Sequence, residues 1–515
     1  MTTVSTRNSP TPNAQPAVMP GAFDARRNDW RFGGVVYQVF LDRFAPSRRI
    51  EGKRHLYAAP RTLRPWEELP AARGHNADER NAHAELDFWG GDLDSLAQRL
   101  DYVHTLGIDV LYLNPVFEAF TNHKYDASDF RRVDPQFGTV EELKSLAGEL
   151  HRRGMKLMLD GVFNHMGRRA PLFQRALADP SGPERDFFTF GEEYRNGYLA
   201  WRNVPNLPEL NLENSEVREF LWSGENSIVR WYLREVGIDG WRLDVAPDIG
   251  FAYLKELTAA AHETRSDSAI IGECWNYPED WLRSVDGILN LHTGNLIVEL
   301  LKGRMAPAAF GRVVDRLIAD CGIEGLLRSH LVLDNHDTPR ITTILPSAED
   351  RHIAAFLQFT LPGSPVIYYG SELGMEGGAD PTNRAPMRWD LLSDDNAELA
   401  HMRRLIALRK ENPALAIGDC RVLDATQLVA FIRRTDRARE TMIAVVNPTN
   451  APVDEIVPIR ESRLMDAAPM ECLLTGNHAV IRSGLIECKL PPRSVRLFRT
   501  VDRGAGPGYS MFKRV

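Results

Sequence analysis

The chain contains 515 residues, of which 43% are hydrophobic and 26% charged, a composition typical of a globular protein with several domains. Its formal net charge of −8 argues against nucleic acid or an anionic membrane as a partner. Five cysteines without a C-x-x-C pair indicate a reducing compartment. No run of residues is long enough to span a bilayer, and no apolar segment near the N-terminus suggests a signal peptide, so we expect a cytoplasmic protein.

Residues 1–28 are rich in Thr, Ser, Asn and Pro and predict a disordered tail. From residue 35 onward, apolar strand-like runs alternate with amphipathic helical patterns, which predicts parallel βαβ units. A long Arg- and Pro-rich loop, 45–90, follows the first strand and is predicted to form one wall of a cleft. The eight predicted strands are residues 35–40, 110–114, 156–160, 240–245, 269–273, 287–291, 329–333 and 366–369.

Eight strands with intervening helices predict the α/β class and a (β/α)8 TIM barrel. We expect this barrel in two parts, residues 29–165 and 216–412, because the polar and aromatic stretch between them lacks a regular pattern. That stretch, 166–215, is predicted to be an insertion domain after the third strand. Short apolar runs broken by Asn and Pro predict a C-terminal all-β domain, a β-sandwich over 413–500, followed by a tail at 501–515.

The central predicted strand, 240–245, has the sequence Gly-Trp-Arg-Leu-Asp-Val. Because side chains alternate across a strand, Arg242 and Asp244 share one face. A guanidinium two residues away is expected to lower the pKa of Asp244 and to keep it ionised, as a nucleophile requires. A structural ion pair is the usual alternative for an isolated R-x-D motif, so the rest of the chain has to decide between the two.

Acidic residues lie at or just beyond the ends of four predicted strands, where the chemistry of such a barrel takes place. They are Asp160, Asp244, Glu273 and Asp337. Mutual repulsion predicts that one of them stays protonated, and Glu273 is the candidate because it lacks a local arginine and follows an apolar strand. A protonated Glu beside an ionised Asp is the pair that a retaining glycosidase needs.

The same acids could instead be ligands of Mg²⁺. Arg242 argues against this alternative, because a fixed cation would repel a metal ion held by Asp244. No Lys stands at the end of an opposing strand to serve as the base in such a metal-assisted reaction. We therefore predict no metal at these acids.

Four short motifs resemble, in order, four regions of the α-amylase family of glycoside hydrolases. They are Asp-Gly-Val-Phe-Asn-His at 160–165, Gly-Trp-Arg-Leu-Asp-Val at 240–245, Ile-Gly-Glu-Cys-Trp at 271–275 and Asn-His-Asp-Thr-Pro-Arg at 335–340. The resemblance extends over about 35–500. It implies that Asp244 is the nucleophile, that Glu273 is the general acid and then the general base, and that Asp337 binds sugar hydroxyls.

The resemblance also implies a set of sugar-binding side chains. Tyr125 would stack on the sugar at the cleavage subsite, and Asp380 with Arg384 would hold the next sugar on the non-reducing side. Trp275 would be a platform on the acceptor side, although for aromatic and histidine side chains plain packing is the common alternative. The full expected set is His123, Tyr125, Asp160, His165, Arg242, Trp275, His336, Asp380 and Arg384.

Leu-Pro-Glu-Leu-Asn at 207–211 resembles the M-P-K-L-N signature of neopullulanases, cyclomaltodextrinases and maltogenic amylases. This resemblance implies retaining hydrolysis of α-1,4 bonds in maltooligosaccharides and cyclodextrins, with some transglycosylation. The chain departs from that group at Pro247-Asp248, where Asn-Glu is common, and at Asp334, a second carboxylate that we expect one step too early to reach the sugar. The barrel also begins where the group usually has an N-terminal β-domain, which leaves the oligomeric state open.

Two alternatives remain at this point. An α-glucosidase, a glucan transferase or a disaccharide isomerase would use the same acids. A non-catalytic sugar-binding barrel is the remote alternative, because such proteins typically lose one or more of the three carboxylates, which are all present here. We expect no required cofactor, and the expected partner is an α-glucan oligosaccharide. Asn164 stands where some family members bind a structural Ca²⁺, but no clear set of oxygen ligands accompanies it.

Overall fold

The computed structural model of the protein describes residues 21–76, 81–501 and 512. Eight parallel strands form a closed barrel in which each strand pairs with its neighbours in chain order. This confirms the predicted (β/α)8 barrel, and every predicted strand has its counterpart in it. The strands are β1 Val36–Val39, β2 Val110–Leu113, β3 Lys156–Gly161, β4 Gly240–Leu243, β5 Ala269–Cys274, β6 Gly287–Asn290, β7 His330–Val332 and β8 Ser364–Tyr368.

Helices connect the strands around the outside of the barrel. The helix Val140–Arg152 begins at a capping box, in which Thr139 and Glu142 each bond the backbone N–H of the other. Between residues 215 and 236 the chain forms a series of short α- and π-helical turns and not one continuous helix. The α-helices of the barrel are Leu93–Ala97, Leu100–Leu106, Val140–Arg152, Ser215–Arg218, Ile228–Trp231, Ala246–Ile249, Phe251–Thr264, Leu291–Leu301, Pro307–Cys321, Ile323–Arg328, Ile341–Ile344, Ala348–Thr360 and Ala397–Glu411. In the described part of the chain, no helix is both long enough and apolar enough to cross a membrane.

Alternate residues of the strands fill the inside of the barrel. One buried layer is apolar, with Val36 on β1, Met158 on β3 and Ile271 on β5. Side chains two residues further along each strand face the same interior and are polar. They are Gln38, Asp160 and Glu273, with Arg242 on β4 beside them. The apolar core therefore gives way to a polar layer at the carboxyl end of the barrel.

The turn after β4 sets the position of Asp244. We expected the strand to run to residue 245, but it ends at Leu243 because Val245 adopts a left-handed conformation with φ of 42°. Such a backbone is costly for a β-branched residue and is found mostly where function requires it. Gly240 is the first residue of β4. A Cβ atom at this position would lie 2.4 Å from the carbonyl oxygen of Ala269. Only glycine lets β4 and β5 approach this closely.

The segment after β3 has little regular structure. It contains the helix Pro171–Ala178 and isolated bridges such as His165 with Glu209 and Phe188 with Leu210. The first of these bridges returns the segment to the end of β3, so its residues can form one side of the barrel mouth. We propose the stretch 166–215 as the insertion domain.

The C-terminal residues form antiparallel sheets, as predicted. The strands are β9 Asp419–Val422, β10 Val429–Arg434, β11 Met442–Asn447, β12 Val453–Pro458, β13 Pro469–Cys472, β14 His478–Val480, β15 Leu485–Leu490 and β16 Ser494–Thr500. Six of them form one sheet in the order β9-β10-β11-β16-β13-β14, and β12 pairs with β15 in a second sheet. Arg433 ties this domain to the barrel, because its buried guanidinium donates to the carbonyl oxygen of Thr360 at 2.6 Å.

The N-terminal residues differ from the expected disordered tail. The helix Ala22–Asn28 docks on the protein with Phe23 and Arg26 buried. Arg26 donates to Glu324 on the barrel at 2.6 Å and to Asp419 on β9 at 2.9 Å. Partners this distant in sequence fix the helix. Of the expected tails, residues 1–20, 502–511 and 513–515 lie outside the described residues.

Candidate active site

The carboxyl ends of the strands bring the motif acids together around one arginine. In the barrel register Arg242 on β4 stands beside Asp160 on β3. Its Nη1 donates to Asp160 Oδ1 at 2.7 Å and to Asp244 Oδ1 at 2.9 Å, and its Nη2 lies 2.9 Å from Glu273 Oε2. All four side chains are at most 10% exposed. Contrary to our expectation, Glu273 does not lack an arginine, because Arg242 is shared among three carboxyl groups.

Burial decides the protonation of Asp244. It raises the pKa of this carboxyl well above the ordinary value, and Arg242 opposes the rise without cancelling it. Glu273, Asp160 and Asp337 raise it further by charge repulsion. The prediction that Arg242 would hold the pKa of Asp244 low was therefore wrong. Burial likewise raises the pKa of Asp160, against the effect of Arg242.

Both oxygens of Glu273 accept hydrogen bonds. The indole Nε1 of Trp275 donates to Oε1 at 2.9 Å, and the backbone N–H of Val245 donates to Oε2 at 2.9 Å. The left-handed turn at Val245 is what aims this N–H at the carboxyl group. Trp275 is 46% exposed although Glu273 is only 6% exposed. An exposed ring thus covers one oxygen of a buried acid.

A chain of hydrogen bonds orients Tyr125 and His336. The Tyr125 hydroxyl donates to Asp160 Oδ2 at 2.9 Å and lies 2.6 Å from His336 Nε2. Gln38 Nε2 bonds His336 Nδ1 at 2.8 Å and Asn114 Oδ1 at 3.0 Å. Because an amide nitrogen can only donate, Nδ1 accepts and the ring proton sits on Nε2. The Tyr125 and His336 rings are parallel, with an interplanar angle of 8°.

The histidines of the mouth are neutral. Burial lowers the pKa of His336 and of His123 well below the ordinary value, and it lowers the pKa of His165 to about 4. His165 Nε2 lies 4.0 Å from Asp244 Oδ2, and Trp201 stacks on the ring. The His165 ring is buried, and a hydrogen bond with the backbone of Tyr125 opposes the fall of its pKa.

Asp337 occupies a more open part of the mouth. Its side chain is 31% exposed, and His336 Nε2 lies 3.1 Å from its Oδ2. Arg384 Nη2 lies 3.3 Å from Asp337 Oδ1, and Arg384 Nη1 lies 3.2 Å from Asp380 Oδ2. The Arg384 Nε also donates to the backbone carbonyl of His336 at 2.8 Å. Arg384 therefore links the loops after β7 and β8 at the mouth.

Asp334 is engaged away from this cluster. Its Oδ2 accepts from the backbone N–H of Ile341 at 2.9 Å and from the Ser371 hydroxyl at 2.8 Å. It therefore holds the first turn of the helix Ile341–Ile344. This contact agrees with the expectation that Asp334 stands outside the reacting set.

The residues around Asn164 do not fit a Ca²⁺ site. The backbone carbonyl of Asn164 accepts from the N–H of Leu210 at 2.9 Å, and its side-chain Nδ2 is buried without a partner among the residues described. Across the described ranges, no three or more His, Cys, Asp or Glu side chains are grouped so that they could hold a metal ion. A calcium ion prefers six to eight oxygen ligands, so the side-chain oxygen of Asn164 alone would not hold one.

Sequence reasoning missed several residues of the mouth. Gln38, Tyr112 and Asn114 lie in predicted strands, yet Tyr112 donates to Asp160 Oδ2 at 2.6 Å and Asn114 Nδ2 donates to the Tyr125 hydroxyl at 3.0 Å. The available signal was a polar side chain inside an otherwise apolar strand. Trp201, whose Nε1 donates to Asp248 Oδ2 at 2.9 Å, carried no comparable signal.

Comparison with known proteins identifies relatives over most of the chain. Residues 38–397 match the model of the α-amylase catalytic domain. Cyclomaltodextrinase from Geobacillus thermopakistaniensis (strain MAS1) is 33% identical over 485 residues, which cover 91% of this chain and 77% of the relative. Intracellular maltogenic amylase from Bacillus subtilis (strain 168) is 34% identical over 423 residues, which cover 79% of this chain and 67% of the relative.

Solved structures agree with these matches. Ttha1563 from Thermus thermophilus superposes with a TM-score of 0.78 at 30% identity, and the match covers 92% of this chain and all of the other. Cyclic α-maltosyl-(1→6)-maltose hydrolase from Arthrobacter globiformis, in complex with cyclic α-maltosyl-(1→6)-maltose, superposes with a TM-score of 0.76 at 26% identity. That match covers 91% of this chain and 99% of the other.

Proposed function

The chain belongs to the α-amylase family of glycoside hydrolases, and from this membership we propose that it is a retaining enzyme that hydrolyses α-1,4-glucosidic bonds of maltooligosaccharides and cyclodextrins. The observation that carries the proposal is the set of buried carboxyl groups around Arg242, with Glu273 and Asp244 on the same guanidinium. Two carboxyl groups side by side at a barrel mouth are what double displacement requires. The names of the relatives support the substrate class.

In the first step, the Asp244 carboxylate attacks the anomeric carbon while Glu273 gives its proton to the glycosidic oxygen. The bond to the leaving sugar breaks, and a covalent glycosyl ester of Asp244 forms. In the second step, Glu273 takes a proton from water, the resulting hydroxide equivalent attacks the anomeric carbon, and Asp244 leaves as a carboxylate. Arg242, 2.9 Å from Asp244, stabilises the carboxylate at the start and at the end of this cycle.

The remaining side chains hold the sugar. We propose that Asp337 accepts hydrogen bonds from hydroxyls of the reacting ring and that Tyr125 stacks on its face. His165 and His336, whose Nε2 atoms lie 4.0 Å from Asp244 and 3.1 Å from Asp337, line the same subsite. On the non-reducing side, Arg384 with Asp380 offers donors and acceptors to the next sugar.

We also propose a cytoplasmic location. The name of the relative from Bacillus subtilis, intracellular maltogenic amylase, supports it. The sparse cysteines, all of them free among the described residues, support it as well. Detection of the untagged protein in the culture medium of intact cells would contradict this location.

Product analysis tests the proposed reaction. The enzyme is incubated separately with β-cyclodextrin, maltotriose, pullulan, soluble starch and sucrose, and the products are separated by chromatography. We expect ring opening faster than cleavage of starch, with maltose and glucose as products of α configuration. Release of single glucose units without ring opening, or rearranged disaccharides, would move the protein to the glucosidase or transferase alternative. The control variant Asp334→Asn keeps a buried polar group outside the cluster and should keep the same products.

A further inference from the structure

The most exposed aromatic side chains of the protein lie close together in the chain fold. Among the residues that the structure describes, the most exposed Phe, Trp and Tyr side chains are Phe251 at 45%, Trp275 at 46% and Tyr277 at 36%. All three follow β4 or β5, the strands that carry Asp244 and Glu273. Exposed apolar surface that is concentrated beside a catalytic site indicates a surface that binds a ligand.

A continuous chain of contacts leads from Glu273 to Phe251. The indole Nε1 of Trp275 donates to Glu273 Oε1 at 2.9 Å. The next residue, Asn276, accepts from Trp281 Nε1 at 3.1 Å through its side-chain oxygen. The Trp281 ring packs on the Phe251 ring, with the ring centroids 4.2 Å apart and an interplanar angle of 33°. These two rings, which we call the Phe251–Trp281 platform, therefore follow Trp275 along the rim of the mouth.

The platform lies where the barrel has no α-helix. Every other pair of consecutive strands has an α-helix between them, whereas the loop that joins β5 to β6 contains only the short 3₁₀ turn Trp281–Arg283. The helix Phe251–Thr264 packs against this loop, because the Thr258 hydroxyl donates to the carbonyl oxygen of Ser284 at 3.0 Å. The indole of the platform covers part of the Phe251 ring, and the rest of that ring faces solvent. A ligand that covers this apolar surface gains free energy by removing it from water.

Polar side chains lie on the same loop as the platform. Arg283 Nη2 lies 2.8 Å from Glu279 Oε1, and Arg283 Nη1 lies 3.1 Å from Asp280 Oδ1. Arg283 and Asp280 are exposed, so they can exchange these partners for hydroxyl groups of a ligand. A pyranose ring has an apolar face of C–H groups and hydroxyl groups around its edge. An exposed aromatic ring with charged donors and acceptors on the same loop suits both parts of such a sugar.

We propose that the Phe251–Trp281 platform is a further sugar-binding site, which holds the α-glucan chain of the leaving group beyond the sugar on Trp275. This inference rests on the proposed function, because its ligand is the leaving part of the substrate. Glu273, as the general acid, meets the glycosidic oxygen, so the leaving sugar lies on the side of Glu273 and Trp275. The chain that continues from this sugar passes along the rim to the platform. A short leaving group ends before the platform, and a long one reaches it.

Substrates with leaving groups of different length test the platform in the wild type and in Phe251→Ala. α-Maltosyl fluoride has no leaving sugar, maltotriose has a short one, and maltoheptaose has one that extends past Trp275. We expect kcat/KM of Phe251→Ala for maltoheptaose to fall about 3-fold to 10-fold, which corresponds to the loss of one apolar ring contact. The values for the fluoride and for maltotriose should equal those of the wild type. Because the Phe251 side chain is exposed, Tm should also stay unchanged.

Three further variants control this measurement. Phe251→Tyr keeps a ring and should keep the wild-type value for maltoheptaose. Trp281→Ala removes the other ring of the platform and should reproduce the loss seen with Phe251→Ala. Leu177→Ala removes an apolar side chain of the same exposure, 45%, from the helix Pro171–Ala178, and should change none of the three values. In the wild type itself, kcat/KM should be higher for maltoheptaose than for maltotriose, a comparison that needs no variant.

The possible outcomes separate the platform from the proposed function. An equal loss on all three substrates, an unchanged value for maltoheptaose in Phe251→Ala, or no rise from maltotriose to maltoheptaose in the wild type would overturn the platform and leave the proposed function in place. A dimeric wild type that Phe251→Ala makes monomeric in analytical ultracentrifugation, with unchanged kinetics, would assign the two rings to a contact between copies of the chain and overturn the sugar site. Failure of the wild type to cleave any of the three substrates would overturn the proposed function and the platform with it.

Discussion

Arg242 is the buried cation that offsets the negative charge of the carboxyl groups at the mouth. Its guanidinium lies within 2.9 Å of oxygens of Asp160, Asp244 and Glu273. Arg242→Met keeps most of the side-chain volume and removes the charge, which leaves three buried carboxyl groups without this counter-ion. We expect the variant to lose stability in proportion to how far these groups are ionised.

The magnitude follows from the burial of the pairs. Removing one partner of a buried ion pair costs about 3–5 kcal/mol, mainly because the other charge stays buried. Burial already raises the pKa of Asp160 and of Asp244, and Arg242 limits both rises. In its absence both values rise further, and each additional pKa unit costs about 1.4 kcal/mol at a pH where the group is ionised in the unfolded chain.

The sign of the pH dependence is fixed by these raised values. An acid whose pKa is higher in the folded state binds more protons when folded, so its contribution to stability falls as the pH rises from the unfolded to the folded pKa. That window opens at the ordinary aspartate value of 3.8 and extends upward. The loss caused by Arg242→Met should therefore be small near pH 4.5 and largest near pH 8.

Thermal unfolding followed by circular dichroism measures this loss. The Tm of the wild type, of Arg242→Met and of Arg242→Lys is recorded between about pH 4.5 and 8. We expect the deficit of the Met variant to widen with pH and the Lys variant, which keeps a charge, to lie between the two. A Tm deficit that is the same at every pH, or no deficit at all, would refute the reasoning.

Four further outcomes are expected. Asp244→Asn should lower turnover by about 10⁴-fold or more with the fold intact, whereas the control Asp334→Asn should stay within about tenfold of the wild type. Activity of Asp244→Asn within about tenfold of the wild type would exclude Asp244 as the nucleophile. Because burial raises the pKa of Asp244, the acid limb of kcat/KM should lie above pH 3.8, and a limb at or below that value would contradict the raised pKa. Gln38→Leu removes the donor to His336 Nδ1 and should lower kcat about 10-fold to 100-fold with little change in KM, so a change in KM alone would exclude a positioning role. Arg26→Ala breaks the contacts that dock the N-terminal helix and should lower Tm without changing kcat; an unchanged Tm would show that the helix is not held by them.

The fold was predictable because its signal is local and repeated. Each barrel strand is a short apolar run between helical patterns, and eight such runs in order leave few other topologies. Two details were not local. The strand β4 ends at Leu243 because of the left-handed turn at Val245, and the helix Ala22–Asn28 is fixed by Arg26 contacts with residues about 300 and 400 positions away. Neither the turn nor the docking has a signature within its own segment.

The composition of the site was predictable for a similar reason. The motif acids follow parallel strands, and the carboxyl ends of parallel strands in a barrel all meet at one mouth. The contacts between side chains were not predictable in this way. That Trp275 donates to Glu273, or that Gln38 fixes the tautomer of His336, depends on side-chain directions that sequence spacing does not determine.

For the protonation of the mouth, the spacing of residues in the sequence and the contacts in the folded barrel lead to different expectations. Repulsion among the acids raises a pKa as expected, but the rise falls on Asp244, whose pKa Arg242 was expected to hold low. The error came from assigning Arg242 to Asp244 alone on the basis of two positions in the chain. In the folded barrel one guanidinium faces three carboxyl groups, so full ionisation would leave a net negative charge in a buried place. This charge imbalance arises only when the strands bring the three acids together. Its effect on the pKa of Asp244 is larger than that of the Arg242–Asp244 pair, which is close in the sequence.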